Sequence, residues 1–272
     1  MGTKHDTVLL ACKDGSHRCP VVLLAQDGPL TRIVWHALER DFGRVPLVIE
    51  ESVPVLQLLR RRVKSLGIIP VLGQVLFRSV IYPLLAVRSK NRVRRIKAEF
   101  GLDDTPVTGP ILSTRSVNSD NARLLLRELD PVVVVVCGTR IIGKQTLSSL
   151  RASFINMHAG ITPLYRGVHG GYWALAEGHP ELVGTTIHRI DEGIDTGGVI
   201  EQGFFNIRPE DSFATYPYLH VGTGIPLLVK AVRCALDGGL AVQQDPVPGP
   251  SRLWYHPTFW GYLATRIGRG VR

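Results

Sequence analysis

Residues 131–137 read Pro-Val-Val-Val-Val-Val-Cys. Branching at Cβ favours extended backbone, and a run without polar alternation offers no face to water. The segment is therefore a central strand buried on both sides, which demands helices on both faces of its sheet. The flanking chain fits that demand. Val21–Ala25 reads as a buried strand ended by Gln26-Asp27-Gly28-Pro29, residues 32–41 as a helix capped by Thr31, and residues 46–50 as a second strand. Residues 119–129 have helical spacing with Asn118 or Ser119 as cap, and residues 144–150 form a short helix after the turn Gly138-Thr139-Arg140-Ile141-Ile142-Gly143. Strand, helix, strand opens a doubly wound α/β domain, whose ligands sit at the carboxyl ends of its strands.

Chemistry concentrates further on. Ser153-Phe154-Ile155-Asn156-Met157-His158 alternates as a strand does, so Asn156 and His158 project from one face. A loop with Gly160, Pro163, Gly167, Gly170 and Gly171 as breakers follows. Residues 185–188 read as another strand, then an acidic turn carries Asp191, Glu192 and Asp195. A carboxylate on such a loop can orient an imidazole for acid–base work, although a single His or Asp at a strand end is more often a hydrogen-bonded loop residue.

The combined pattern is Asn156-x-His158, then Pro163-x-x-Arg166-Gly167, then Asp191-x-x-x-Asp195-Thr196-Gly197. It resembles the folate-dependent formyltransferase family, closely over residues 130–206 and more weakly over 20–50. The resemblance implies a Rossmann-like, mostly parallel α/β sheet with Asn156, His158 and Asp195 as the catalytic set. It also implies 10-formyltetrahydrofolate as co-substrate, held against backbone at Thr139, Arg140, Ile141 and Ile142 and at Asp191, Gly193 and Ile194. Asp195 is then expected to position His158 and favour its protonated form. Arg166 is a candidate for an anionic substrate group or a structural salt bridge. His169 is a second candidate substrate contact against a plain loop role, and His188 reads as a core histidine.

The acceptor is read by departures from the family. Glycinamide ribonucleotide formyltransferases usually carry Gly-x-Gly-Ser-Asn after the first strand. Here the loop is Gln26-Asp27-Gly28-Pro29-Leu30-Thr31, whose proline has no N–H for a phosphate. The tail after residue 206 is too short for the β-barrel of methionyl-tRNA formyltransferases. A small, anionic amine is expected, a nucleotide-linked amino sugar first. The alternatives are the purine substrate, hydrolysis of the folate, and a non-catalytic folate-binding or membrane-docking module.

Composition sets the remaining limits. With 272 residues, 44% hydrophobic and 20% charged, the chain is globular rather than disordered, and a net charge of +9 suggests an anionic partner. The division expected is an extension at 1–19, a catalytic domain at 20–206 with a helical basic insertion at 55–100, and a helical, aromatic tail at 207–272, whose helix is capped by Asp211 or Ser212 and reaches Leu236. The insertion brackets an apolar stretch with basic clusters. It reads as helices packed on the sheet with basic outer faces, as a peripheral membrane contact, or as a basic substrate surface. Basics and aromatics do not alternate there, so no nucleic acid is expected. Cys12, Cys19, Cys137 and Cys234 have no paired spacing and read as thiols in a cytoplasmic protein, and no cluster has metal-ligand spacing. A homo-oligomer is compatible with the sequence.

Overall fold

The computed structural model describes residues 19–243 and 247–272. Most of the extension, Cys12 included, lies outside the described residues. In chain order the elements begin β1 (Val21–Ala25), α1 (Pro29–Phe42), β2 (Leu47–Glu50), α2 (Val55–Leu66) and α3 (Ile68–Leu76). A π-helical turn at Phe77–Ile81 leads into α4 (Tyr82–Phe100), followed by β3 (Ile111–Thr114), α5 (Asp120–Leu129), β4 (Val133–Cys137) and α6 (Lys144–Leu147). Then come β5 (Ser153–His158), β6 (Arg166–Gly167), α7 (Gly170–Glu177), β7 (Gly184–Arg189), β8 (Val199–Phe204), α8 (Tyr216–Leu236), β9 (Leu253–Trp254) and α9 (Phe259–Arg269).

The main sheet has seven strands in the order β3-β2-β1-β4-β5-β7-β8. β3 to β5 are mutually parallel, while β7 and β8 pair antiparallel at one edge. The valine run is its middle strand, as expected. Val133 and Val135 face one core cluster with Leu23, Trp35 and Leu228, while Val134 and Val136 face the other with Leu24 and Leu126. Burying each such side chain contributes on the order of 1.5–3 kcal/mol. This is a doubly wound, Rossmann-like α/β fold.

Three capping expectations meet different outcomes. Ser119 caps α5, its hydroxyl accepting the Ala122 N–H at 3.1 Å. Thr31 does not cap α1: the helix starts earlier, at Pro29, where a missing N–H costs nothing, and the Thr31 hydroxyl instead donates to the Gln26 carbonyl at 2.6 Å. Nor does Asp211 or Ser212 cap α8, which starts at Tyr216. Asp211 is taken up by Arg92 of the insertion, at 2.7 and 3.3 Å.

The insertion is helical, and the bases expected on its outer faces are exposed but share them with apolar side chains. A stripe of Val71, Gln74, Phe77, Ser89, Arg92 and Ile96 is buried. It meets the turn before α8 through Phe77 on Phe213 and Ser89 on Ser212, and α9 through Phe77 on Tyr262. The opposite face exposes large apolar side chains as well as bases. Aromatics of the tail pack on the body, with Trp254 stacked on Trp173 at 4.6 Å and Tyr262 buried. Cys137 and Cys234 are free, whereas Cys19 is disulfide-bonded, so the reading of four thiols fails there and its argument for a reducing compartment weakens.

Candidate active site

β5 ends in Asn156-Met157-His158, and antiparallel pairing with β7 sets His188 opposite Asn156 and Thr186 opposite His158. The chain then turns back so that Asp195, in the left-handed region at φ +50°, reaches the same point. The Asn156 amide donates to His188 Nε2 at 3.1 Å and to Asp195 Oδ1 at 3.4 Å. His158 Nδ1 lies 3.4 Å from Asp195 Oδ2, and His188 Nε2 lies 3.5 Å from Asp195 Oδ1. Each imidazole has a main-chain carbonyl on its other nitrogen: Tyr165 for His158 and Arg189 for His188, both at 2.7 Å. A carbonyl only accepts, so each of those nitrogens carries the proton.

The Asp195 carboxylate also accepts the Gly167 N–H at 2.9 Å. Gly167 sits at φ +93°, where a Cβ would collide with the Trp254 carbonyl. β6 is clamped there by β9, Gly167 registering with Trp254. The tail therefore helps to hold a hydrogen bond to the carboxylate. Nothing in the local sequence announces that contact.

The electrostatics differ from expectation in one respect. Burial pushes the Asp195 carboxyl up, but His188, His158 and the Gly167 N–H outweigh it and hold the group down at about 2. It is ionised at neutral pH. For His158 burial is the larger effect and lowers its pKa despite the opposing pull of Asp195. Asp195 does favour the charged ring, as expected, but the low-polarity surroundings penalise that form more than one carboxylate at 3.4 Å rewards it, so the ring rests neutral.

The turn after β4 forms the second wall. The Arg140 side chain does not point outward as a free cation. It is bonded to Glu50 at 2.8 Å and to the Arg115 and Glu51 carbonyls at 2.8 and 2.7 Å. Asn118 braces the same turn from α5's approach, donating to the Ile141 carbonyl at 2.8 Å and accepting the Gly143 N–H at 2.7 Å. The third wall, residues 190–195, is shaped by Asp191, whose Oδ1 accepts from the Gly193 N–H and the Thr196 hydroxyl at 3.0 and 2.7 Å.

Together these walls enclose a cleft of about 390 Å³. It is lined by Thr139 to Ile142, by Asn156 and His158, and by Asp191, Gly193, Ile194 and Asp195, which are the expected catalytic and folate-contacting positions. His188 lines it too, so its reading as a mere core residue is corrected: it is buried but bonded to Asn156. Strand pairing, which a single sequence does not display, is what joins them.

Arg166 and His169 are not in this cleft. Arg166 ties two loops together, donating to the Ile194 carbonyl at 2.9 Å and to Ser251 Oγ at 2.8 Å, with no ion pair among the described residues. His169 shares a 2.9 Å hydrogen bond with His256. Both belong to a separate cavity of about 240 Å³, walled by Arg62, Phe77, Arg78, Tyr82 and Phe213. A hollow of about 30 Å³ shares Ala159 with the cleft and His169 and Phe213 with the cavity. Burial holds His169 and His220 down at about 3 and His256 at about 4, so all three are neutral. Among the described residues no group of three or more His, Cys, Asp or Glu is arranged to hold a metal ion.

Residues 85–218 match the formyl transferase family model. The methionyl-tRNA formyltransferase of Anaeromyxobacter sp. (strain K) is 36% identical over 138 residues, which are 50% of this chain and 44% of that protein. The chain thus spans under half the length of that relative. Among solved structures, glycinamide ribonucleotide transformylase 1 of Symbiobacterium toebii aligns with a TM-score of 0.54 at 16% identity, covering 84% of this chain and 92% of that one. The N-formyltransferase of Helicobacter canadensis, solved with folinic acid and dTDP-3-aminofucose, aligns with a TM-score of 0.51 at 13% identity, covering 86% and 70%. At such identities the likeness is one of fold. Residues 85–218, which hold Asn156, His158 and Asp195, are thus a formyl transferase domain that takes up just under half of the chain.

Proposed function

We propose that the chain transfers a formyl group from 10-formyltetrahydrofolate to the amine of a small anionic acceptor. The observation that carries this is the meeting of Asn156, His158 and Asp195 in a cleft lined by residues 139–142 and by Asp191, Gly193 and Ile194. The cleft fits a folate in kind: its volume lies in the range of small-molecule sites, and the charged side chains on its rim, Arg140 and Asp191, are already hydrogen-bonded within the protein. Residues 139–142 and 191–194 would hold the pteridine, and the bound folate supplies an activated formyl group.

The chain's own residues do the rest. Negative charge grows on the formyl oxygen as the amine attacks. The Asn156 amide is placed to donate to it, giving up its long 3.4 Å bond to Asp195. His158, neutral at rest, takes the proton that the amine must lose at Nδ1. The resulting imidazolium faces the ionised Asp195 carboxylate, whose charge stabilises it until its proton passes to the folate nitrogen, which would leave as its bond to the formyl carbon breaks. Its Nε2–H stays on the Tyr165 carbonyl throughout and fixes the ring.

For the acceptor, the 240 Å³ cavity supports a nucleotide-linked amino sugar. Phe77, Tyr82 and Phe213 give a base or sugar ring aromatic walls, and Arg62 and Arg78 have no acidic partner among the described residues. Burial and the nearby Arg78 lower the Arg62 pKa, a like-charge crowding that a phosphate would relieve. The test is folate release, followed by absorbance, against amines that include nucleotide-linked amino sugars. Release that depends on an amine supports the reading. Release without one would make the protein a hydrolase instead.

A further inference from the structure

From Ile68 to Phe100 the chain is helical, and little of its apolar window is buried, 22% against 61% in α8, the other helix of comparable length and hydropathy. Its inner stripe is fixed to the body by Gln74 on the His256 carbonyl, Ser89 on Ser212 and Arg92 on Asp211. Its outer stripe is Ile68, Leu72, Val75, Val80, Leu84 and Val87, all exposed, and Ile68 and Val87 are 71% and 63% exposed. The intervals of three to five residues keep these side chains along one side of the helix for about 30 Å at ~1.5 Å per residue. A soluble helix ordinarily turns a polar face outward, and an apolar outer stripe of this length calls for a partner.

Charge narrows the choice. Basic clusters bracket the stripe, Arg60, Arg61 and Lys64 before it and Arg88, Lys90 and Arg94 after it, all exposed. Between Glu51 and Glu99 there is no acidic residue. A second copy of this face would set like charges against one another. An apolar layer bordered by anionic groups matches both the stripe and its ends. We propose that the outer face of α2 to α4 docks into the interface of an anionic lipid bilayer, the stripe among the acyl chains and the basic clusters at the headgroups. The helix lies along the surface rather than across the bilayer, because its inner stripe remains bound to the protein.

The experiment is co-sedimentation of the full chain with vesicles of phosphatidylcholine, with and without 30% phosphatidylglycerol as a working composition (of about that order, since the surface field scales with anionic lipid). Binding at least tenfold stronger to the anionic vesicles, weakened by salt, is expected. Leu72→Glu and Leu84→Glu, at exposed positions, should each lower it several-fold while leaving the melting temperature unchanged. Light scattering without lipid distinguishes the other occupant. Absence of binding, salt-sensitive binding indifferent to both substitutions, or a stable dimer that either substitution dissociates would each overturn the proposal.

Discussion

His158 Nδ1 and Asp195 Oδ2 stand 3.4 Å apart, with both side chains largely withdrawn from solvent. The carboxylate is ionised and the imidazole neutral, so the pair stores capacity for one proton. Asp195→Asn keeps the shape and removes the charge that stabilises the imidazolium. Turnover is expected to fall by about 10²- to 10⁴-fold, with little change in folate affinity. Steady-state kinetics beside folate titration would check this, and a loss of less than about threefold would remove Asp195 from the chemistry.

Acid should destabilise the fold before it protonates the carboxylate. Burial holds His169, His220 and His256 at about 3, 3 and 4, whereas in the unfolded chain they titrate near ~6.5. The unfolded state therefore binds more protons below that pH, and stability declines as pH falls. The loss is about 1.4 kcal/mol per histidine per pH unit, continuing towards the folded values. Asp195 acts in the same direction at lower pH, its stabilisation being lost as pH falls from the unfolded carboxylate range through about 2. Thermal melts at pH 7.5, 6.5 and 5.5 (values of that order bracket the ~6.5 titration) should show a drop concentrated in the lower interval. His256→Gln should shallow it.

The buried ion pair of Arg92 and Asp211 fastens the insertion to the start of α8. Asp211 also accepts the Arg208 N–H at 2.9 Å, so removing it strands several donors. Asp211→Ala is expected to cost about 3–5 kcal/mol in denaturant unfolding. By contrast Glu201→Ala, which breaks an ion pair with the solvent-exposed Lys230, should shift the unfolding midpoint far less. Equal effects would mean that the buried pair contributes no more than a surface one.

Asn118 touches none of the proposed reacting atoms but holds the turn at 141–143 by two hydrogen bonds. Asn118→Ala should raise KM for the folate about tenfold and leave kcat within about twofold, because two hydrogen bonds of ~0.5–1.5 kcal/mol each are lost from a binding wall. A fall in kcat alone would contradict that assignment.

Arg62 and Arg78 should act on the acceptor alone. Arg78→Gln is expected to raise KM for an anionic amine by about tenfold or more, with folate binding unchanged, since a charge-assisted hydrogen bond is worth about 1.5–3 kcal/mol. Indifference to the substitution would place the acceptor elsewhere.

What the sequence displays follows a physical division. The valine run and the alternation leading to Asn156 and His158 are local patterns that their own side chains impose, and β4 and β5 appear where those patterns lie. The cleft residues came from a motif of fixed spacing. Long-range pairing is what local reading misses. Asp211 looks like a helix cap because its partner, Arg92, is 119 residues away. His188 looks like core because only the β5–β7 register brings it to Asn156. In the insertion both helix faces are apolar, so periodicity gave no inside, and it took the positions of α8 and α9 to distinguish the bound stripe from the free one.

The most direct test of the account is a single turnover with 10-formyltetrahydrofolate carrying an isotopically labelled formyl carbon, in the presence of a nucleotide-linked amino sugar. The expected result is label on the amine as a formamide, lost on Asn156→Ala and His158→Ala while both variants still bind the folate. Label released as free formate, or transfer that survives both substitutions, would contradict it.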